Sequence, residues 1–158
     1  MNESERDNAG VIAPPPLIYL GMLLLGLLLN RRRPIALPPP LRGLARPFGW
    51  ALLGAGLAGD VWFVLTMRRA RTAINPTRQV TTIVTSGPFR FSRNPSYLCF
   101  TMIYVGVSAV RDTLWPLFAL PGVLAAMRRG VIEREEAYLE RAFGAEYTQY
   151  KARVRRWL

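Results

Sequence analysis

The arginines of this chain are confined to blocks. Between the blocks the sequence runs for fifteen to twenty residues with almost no charge. A soluble domain with a net charge of +11 spreads that charge over its surface, whereas this alternation is the pattern of a small integral membrane protein. At 158 residues the chain is sized for a single domain, 1–158. About half of it is hydrophobic. The lone cysteine, Cys99, excludes an internal disulfide and a multi-cysteine metal site, so no metal is expected. The absence of histidine argues against zinc enzymes and Ser-His-Asp hydrolases.

Val11 to Asn30 is uncharged and long enough to cross a bilayer, which takes about 20 residues. Acids at Glu3, Glu5 and Asp7 precede it and the block Arg31-Arg32-Arg33 follows it, the reverse of a cleaved signal. Residues 12–30 therefore read as a retained membrane helix. Residues 31–46, with five arginines and Pro38-Pro39-Pro40, read as an interfacial loop. A second membrane helix is expected over 48–67, with Gly54, Gly56 and Gly59 permitting close helix approach. Its acid, Asp60, is either functional or placed near the interface or beside an arginine.

Residues 68–95 form a basic connector with turn signals at Asn75-Pro76 and Ser86-Gly87-Pro88. Residues 96–127 are two apolar runs around the polar tip Arg111-Asp112, a tight hairpin whose second arm Pro116 and Pro121 should bend. Residues 128–158 are charged and periodic, a helical tail at the membrane surface. The expected fold is all-α and polytopic, with about four transmembrane helices, a C-terminal helical hairpin and a cytosolic helical tail closing the site. In that topology the N-terminus, connector and tail share fifteen Lys and Arg, against six on the other side. Positive-inside then places the connector and tail in the cytoplasm, although the Arg31–Arg33 block opposes it.

Two polar blocks meet at the open end of the hairpin. In Arg93-Asn94-Pro95, proline suits the first helical position and asparagine the cap before it. A helix N-terminus flanked by Arg90 and Arg93 favours a carboxylate or phosphate, on a ligand or on anionic lipid. In the tail, with Ile132 at zero, Leu139 falls at roughly −20°, Phe143 at roughly 20° and Glu136 at roughly 40°. Glu136 thus lies within the apolar stripe, and Glu135 falls at its other edge, at roughly −60°. A carboxylate there needs a cation, either an arginine such as Arg90 or Arg93 or a ligand ammonium or sulfonium. The two blocks make a place to hold a small zwitterionic cofactor beside a lipid.

Ser86-Gly87-Pro88-Phe89-Arg90-Phe91-Ser92-Arg93-Asn94-Pro95-Ser96-Tyr97-Leu98 resembles the entry motif of the isoprenylcysteine carboxyl methyltransferase and phospholipid methyltransferase superfamily. Glu135-Glu136-Ala137-Tyr138-Leu139 with Phe143-Gly144, Glu146-Tyr147 and Tyr150 resembles its C-terminal motif. The resemblance covers roughly residues 75–158. It implies an integral membrane enzyme of bacterial type that uses S-adenosylmethionine (SAM), lies in the inner membrane or its equivalent, and faces its site to the cytoplasm. Carried over, Arg90, Arg93, Asn94, Tyr97 and Leu98 line one wall of the cofactor pocket and Glu135 and Glu136 the other, with Arg93 and Glu136 as the catalytic pair. Two positions depart from the pattern. Asn94 stands where the carboxyl-methylating branch has histidine, and Arg155 where proline is usual.

The expected reaction is SAM-dependent methyl transfer to a lipophilic acceptor embedded in membrane lipid. A carboxylate or thiolate acceptor needs no strong base, whereas an amine needs one, such as Glu136 or water. Trp50, Trp62 and Trp115 are expected as interface anchors, and Cys99 as packing. Tyr147 and Tyr150 either cover the cofactor or seat the tail. The alternative is a non-enzymatic membrane protein whose basic tail binds anionic lipid or a partner. A nucleic-acid partner is not expected, because the basic residues lack an aromatic stacking platform.

Overall fold

The computed structural model describes residues 9–73 and 80–158. The acids at the N-terminus, Arg6, the Asn75-Pro76 turn and Arg78 lie outside the described residues. Six α-helices follow in order: α1 Pro15–Arg32, α2 Pro39–Arg69, α3 Pro95–Val110, α4 Trp115–Met127, α5 Glu133–Phe143 and α6 Ala145–Arg153. A 3-10 turn, Gly87–Arg90, precedes α3, and a π turn, Arg128–Ile132, joins α4 to α5. Each of α1 to α4 carries proline in its first two positions. There the missing N–H costs no hydrogen bond and the fixed φ already suits a helix.

α2 and α3 form the closest pair in the fold, through a seam of small residues. A Cβ on Gly106 would stand 2.8 Å from the Gly49 carbonyl oxygen, and one on Gly56 2.9 Å from that of Cys99. Gly59 faces the Cys99 sulfur, so Cys99 is a packing residue of this seam. Gly54, expected in the same role, has open space around it. It is two residues from Gly56 and so points to another side of the helix. α1 packs on α4 where Gly26 meets Pro116. The core then gathers Tyr19, Tyr104, Val123, Met127 and Val131. The Tyr104 hydroxyl donates to the Pro116 carbonyl at 2.9 Å, which satisfies the buried phenol.

One end of the bundle is closed by polar bonds between its loops. Asp112 Oδ1 accepts from the Leu37 N–H at 2.9 Å, and Oδ2 lies 3.3 Å from Arg42 Nε. The Leu114 N–H donates to Ile35, and the Trp115 indole donates to the Arg33 carbonyl. Residues 80–94, α5 and α6 gather at the opposite end.

Several expectations change. The first loop is only residues 33–38, because Pro39 and Pro40 start α2 early and residues 39–46 are helical. Pro116 sits in the first turn of α4, where it has no ladder bond to break; only Pro121 is interior. The tail is two helices divided at Gly144, whose φ of +52° few other residues adopt. Among the described residues Asp60 pairs with no arginine; it accepts a hydrogen bond from Ser96. Among the described residues α2 is the one helix long and apolar enough to cross a membrane, and α3 is apolar but shorter.

Candidate active site

The wall formed by the motif turn starts at Gly87, whose φ is +59° and whose Cα lies against Thr66 of α2. Phe89 then meets Phe63, ring centroids 5.6 Å apart. Ser92 Oγ accepts the Asn94 N–H at 3.1 Å and donates to the Arg156 carbonyl at 3.2 Å. Asn94 occupies the cap position of α3 without capping it. Its Nδ2 donates instead to the same Arg156 carbonyl at 2.9 Å, while the Arg93 N–H donates to the Arg155 carbonyl at 3.0 Å. The last residues thus form a strap across the turn. Arg155 joins the strap through its backbone.

The strap also delivers a side chain. Arg156 donates to both oxygens of Glu136, Nε to Oε1 at 3.1 Å and Nη2 to Oε2 at 2.7 Å. Arg93 Nη1 lies 3.0 Å from Oε1 of the same carboxylate. The Glu136 side chain is 9% exposed and that of Arg93 10%. The buried carboxylate on the apolar stripe therefore has its cations within the protein: Arg93, as one reading had it, and Arg156. The bond with Glu136 raises the Arg156 pKa further. Arg93 Nε is buried with no hydrogen-bond partner among the described residues.

Glu135 is placed differently. It is half-buried, and its Oε1 accepts a 2.6 Å bond from the Tyr97 hydroxyl. Burial pushes its carboxyl up to about 7; the Tyr97 bond opposes the rise and the charge of Glu136 adds to it.

Turn, tail and helices enclose a cavity of about 430 Å³. Arg93, Asn94, Tyr97, Glu135 and Glu136 line its polar part. Phe63, Met67, Ile83, Phe100 and Leu139 give it apolar walls, and Pro14–Pro16 border it from the start of α1. Tyr147 and Tyr150 line it as well. The Tyr150 hydroxyl is tied to the Phe89 carbonyl at 2.8 Å. Burial raises both phenols, Tyr147 to about 12. Two expected residues are elsewhere. Arg90 is exposed at the end of the 3-10 turn, and Leu98 is half-buried on α3 and does not line the cavity.

Sequence reasoning missed Arg156 and Ser92. Arg156 is one of eight basic residues in the tail, and no spacing rule links it to Glu136. Ser92 did carry a signal, since a serine in a turn commonly accepts the backbone N–H two residues on.

A comparison with solved structures finds no match. Over 105 residues, 65% of this chain and 44% of the relative, the sequence is 32% identical to the cobalt-zinc-cadmium resistance protein CzcN of Cupriavidus metallidurans. Over 27 residues, 17% of this chain and 43% of the relative, it is 67% identical to an uncharacterized protein of Haemophilus influenzae. The chain thus spans less than half the length of either relative. The family model for phospholipid methyltransferases matches residues 44–146, from α2 through the motif turn and both glutamates into the start of α6. On that match the protein belongs to the phospholipid methyltransferase family.

Proposed function

We propose that the protein is a SAM-dependent methyltransferase acting on a lipid-like acceptor, with α1 to α4 as membrane spans and the cavity at the cytoplasmic end. The observation that carries this reading is Arg93 Nε, a buried donor with no hydrogen-bond partner among the described residues, in a cavity shared with two glutamates. A buried guanidinium N–H without a partner is costly, and a ligand carboxylate relieves it. The residues present suit SAM. Arg93 and the first-turn amides of α3, left open because Asn94 bonds the strap, suit its carboxylate. Tyr147 and Tyr150 offer aromatic surface to its sulfonium and its adenine ring. SAM supplies an electrophilic methyl group on a positively charged sulfur.

The chain's own residues then position and exclude water. Arg156 and Arg93 fix the Glu136 carboxylate from two sides. Phe63, Met67 and Phe100 offer the acceptor's apolar part a surface continuous with α2 and α3. The excess of arginine at the cavity end supports the cytoplasmic orientation.

The test is saturable SAM binding by the detergent-solubilised protein, displaced by S-adenosylhomocysteine and weakened at least tenfold by Arg93→Gln. Absence of saturable binding in the wild type overturns the reading. Incubating membranes with methyl-labelled SAM and treating the extracted lipid with base then separates ester products from amine products.

A further inference from the structure

The two glutamates of the cavity do different work. Glu136 is held by two guanidinium groups, so one carboxylate meets two positive charges. Glu135 has no cationic partner among the described residues. One of its oxygens accepts from Tyr97, and the other makes no hydrogen bond within the described protein. Both residues line the cavity. A base for an amine acceptor must have a free oxygen lone pair and no competing cation. Glu136 fails that requirement and Glu135 meets it.

We propose that Glu135, oriented by the Tyr97 hydroxyl, accepts the proton of an amine acceptor, and that Glu136 is a positioning residue fixed between Arg93 and Arg156. This rests on the methyl-transfer reading above. It places the base at Glu135, where the sequence had offered Glu136 or water.

The step balances as follows. An acceptor ammonium gives one N–H proton to the Glu135 carboxylate, and the lone pair freed on nitrogen forms the N–CH3 bond. The S–CH3 bond of the sulfonium donor breaks, its electron pair stays on sulfur, and the sulfur leaves as a neutral thioether. Glu135 then passes the proton to water. The groups beside it are Tyr97 from α3, whose carbonyl accepts from Tyr19 of α1, and Glu136 on α5, while Arg93 from the turn, Tyr138 from α5, and Tyr147 and Tyr150 from α6 line the same cavity. Burial and Glu136 bring its titration to about 7, so both protonation states are accessible near neutrality.

The experiment compares wild type, Glu135→Gln and Tyr97→Phe in detergent. Binding of dodecylamine to the cofactor-free protein is measured from about pH 5 to about pH 9, beside SAM binding. In the wild type, dodecylamine affinity rises about tenfold as Glu135 ionises. In Glu135→Gln that rise is lost, while SAM affinity changes less than about threefold. Tyr97→Phe removes the bond that holds the carboxyl down, so its midpoint moves to higher pH. With SAM and phosphatidylethanolamine vesicles, transfer by Glu135→Gln falls about a hundredfold and the acidic limb of the pH profile disappears.

If Glu135→Gln abolishes SAM binding, Glu135 is a cofactor ligand and the proposal is overturned while the enzyme reading stands. Equal dodecylamine binding by wild type and Glu135→Gln also overturns it, as does undiminished transfer. If the wild type binds no SAM, the enzyme reading falls, whatever the dodecylamine measurement shows. Should Glu135→Gln not fold, the midpoint shift in Tyr97→Phe decides, and an unmoved midpoint overturns the proposal.

Discussion

Asp60 Oδ1 accepts a 2.6 Å hydrogen bond from the hydroxyl of Ser96, the second residue of α3. The side chain at the cap of that helix, Asn94, is turned to the Arg156 carbonyl. The first turn of α3 is thus tied to α2 through a side chain, and its amides are not capped by either residue. Ser96→Ala removes the donor and leaves a half-buried carboxylate short of one partner. The expected loss is about 1–3 kcal/mol of stability. Asp60→Asn keeps an acceptor oxygen and should cost less. Thermal unfolding in detergent checks this, and an unchanged midpoint for Ser96→Ala refutes it.

The α2–α3 seam has no room for side chains at its glycines. Gly106→Ala places a methyl carbon 2.8 Å from the Gly49 carbonyl, where backbone cannot yield without separating the helices. The expected destabilisation is about 1–3 kcal/mol. Gly54→Ala meets nothing within 4 Å and serves as the control, at or above wild-type stability. Equal melting of the two variants shows that the seam is looser than described.

The strap contributes a charge through one residue and backbone acceptors through two. Arg156→Ala deletes both charge-assisted bonds to Glu136 and leaves that carboxylate to Arg93 alone. Arg156 is 28% exposed, so the expected cost lies at the lower end of the about 1.5–3 kcal/mol typical of such bonds. Arg155→Ala leaves its carbonyl bond to Arg93 in place and should be near neutral. Chemical unfolding of the two variants separates side-chain from backbone closure.

Stability should also depend on pH through Glu135. Its carboxyl titrates at about 7 in the fold, against 4.5 in an open chain. The folded state holds that proton more tightly, so the contribution is fully present below pH 4.5 and is lost as pH rises through about 7. Glu135→Gln has no proton to lose. Its stability, measured by denaturant titration across this window, should decline less than that of the wild type. Parallel curves count against a raised carboxyl.

Much of the site was legible because its residues lie in two short segments with strong local character. The placement of Glu136 on an apolar stripe needs only helical periodicity, and the structure finds it buried. The start of α3 follows from Pro95, although the side chain expected to cap it does something else. The beginning of α2 was misread because Pro38-Pro39-Pro40 and nearby arginines look like a loop. Proline is equally compatible with a helix's first turn, and composition does not distinguish the two. The partners of Glu136 and Asp60 were not legible as a set. Ser96 meets Asp60 because α3 crosses α2, and Arg156 meets Glu136 because the strap folds back over α5; neither approach has a signature in one segment alone.

The π turn at Arg128–Ile132 has no acid and no cavity residue, yet the cavity depends on it. An extra residue in a helical turn changes the angular phase of everything after it by about 100°. Deleting one residue there, so that α4 ran into α5 as a regular helix, would rotate Glu135 and Glu136 together away from Tyr97 and Arg93. Gly130 lets Ile12 cross at this point, its N–H on the Gly130 carbonyl at 3.1 Å. The aim of the acidic pair is therefore set by counting, one residue more than a helix needs, several residues before the pair itself.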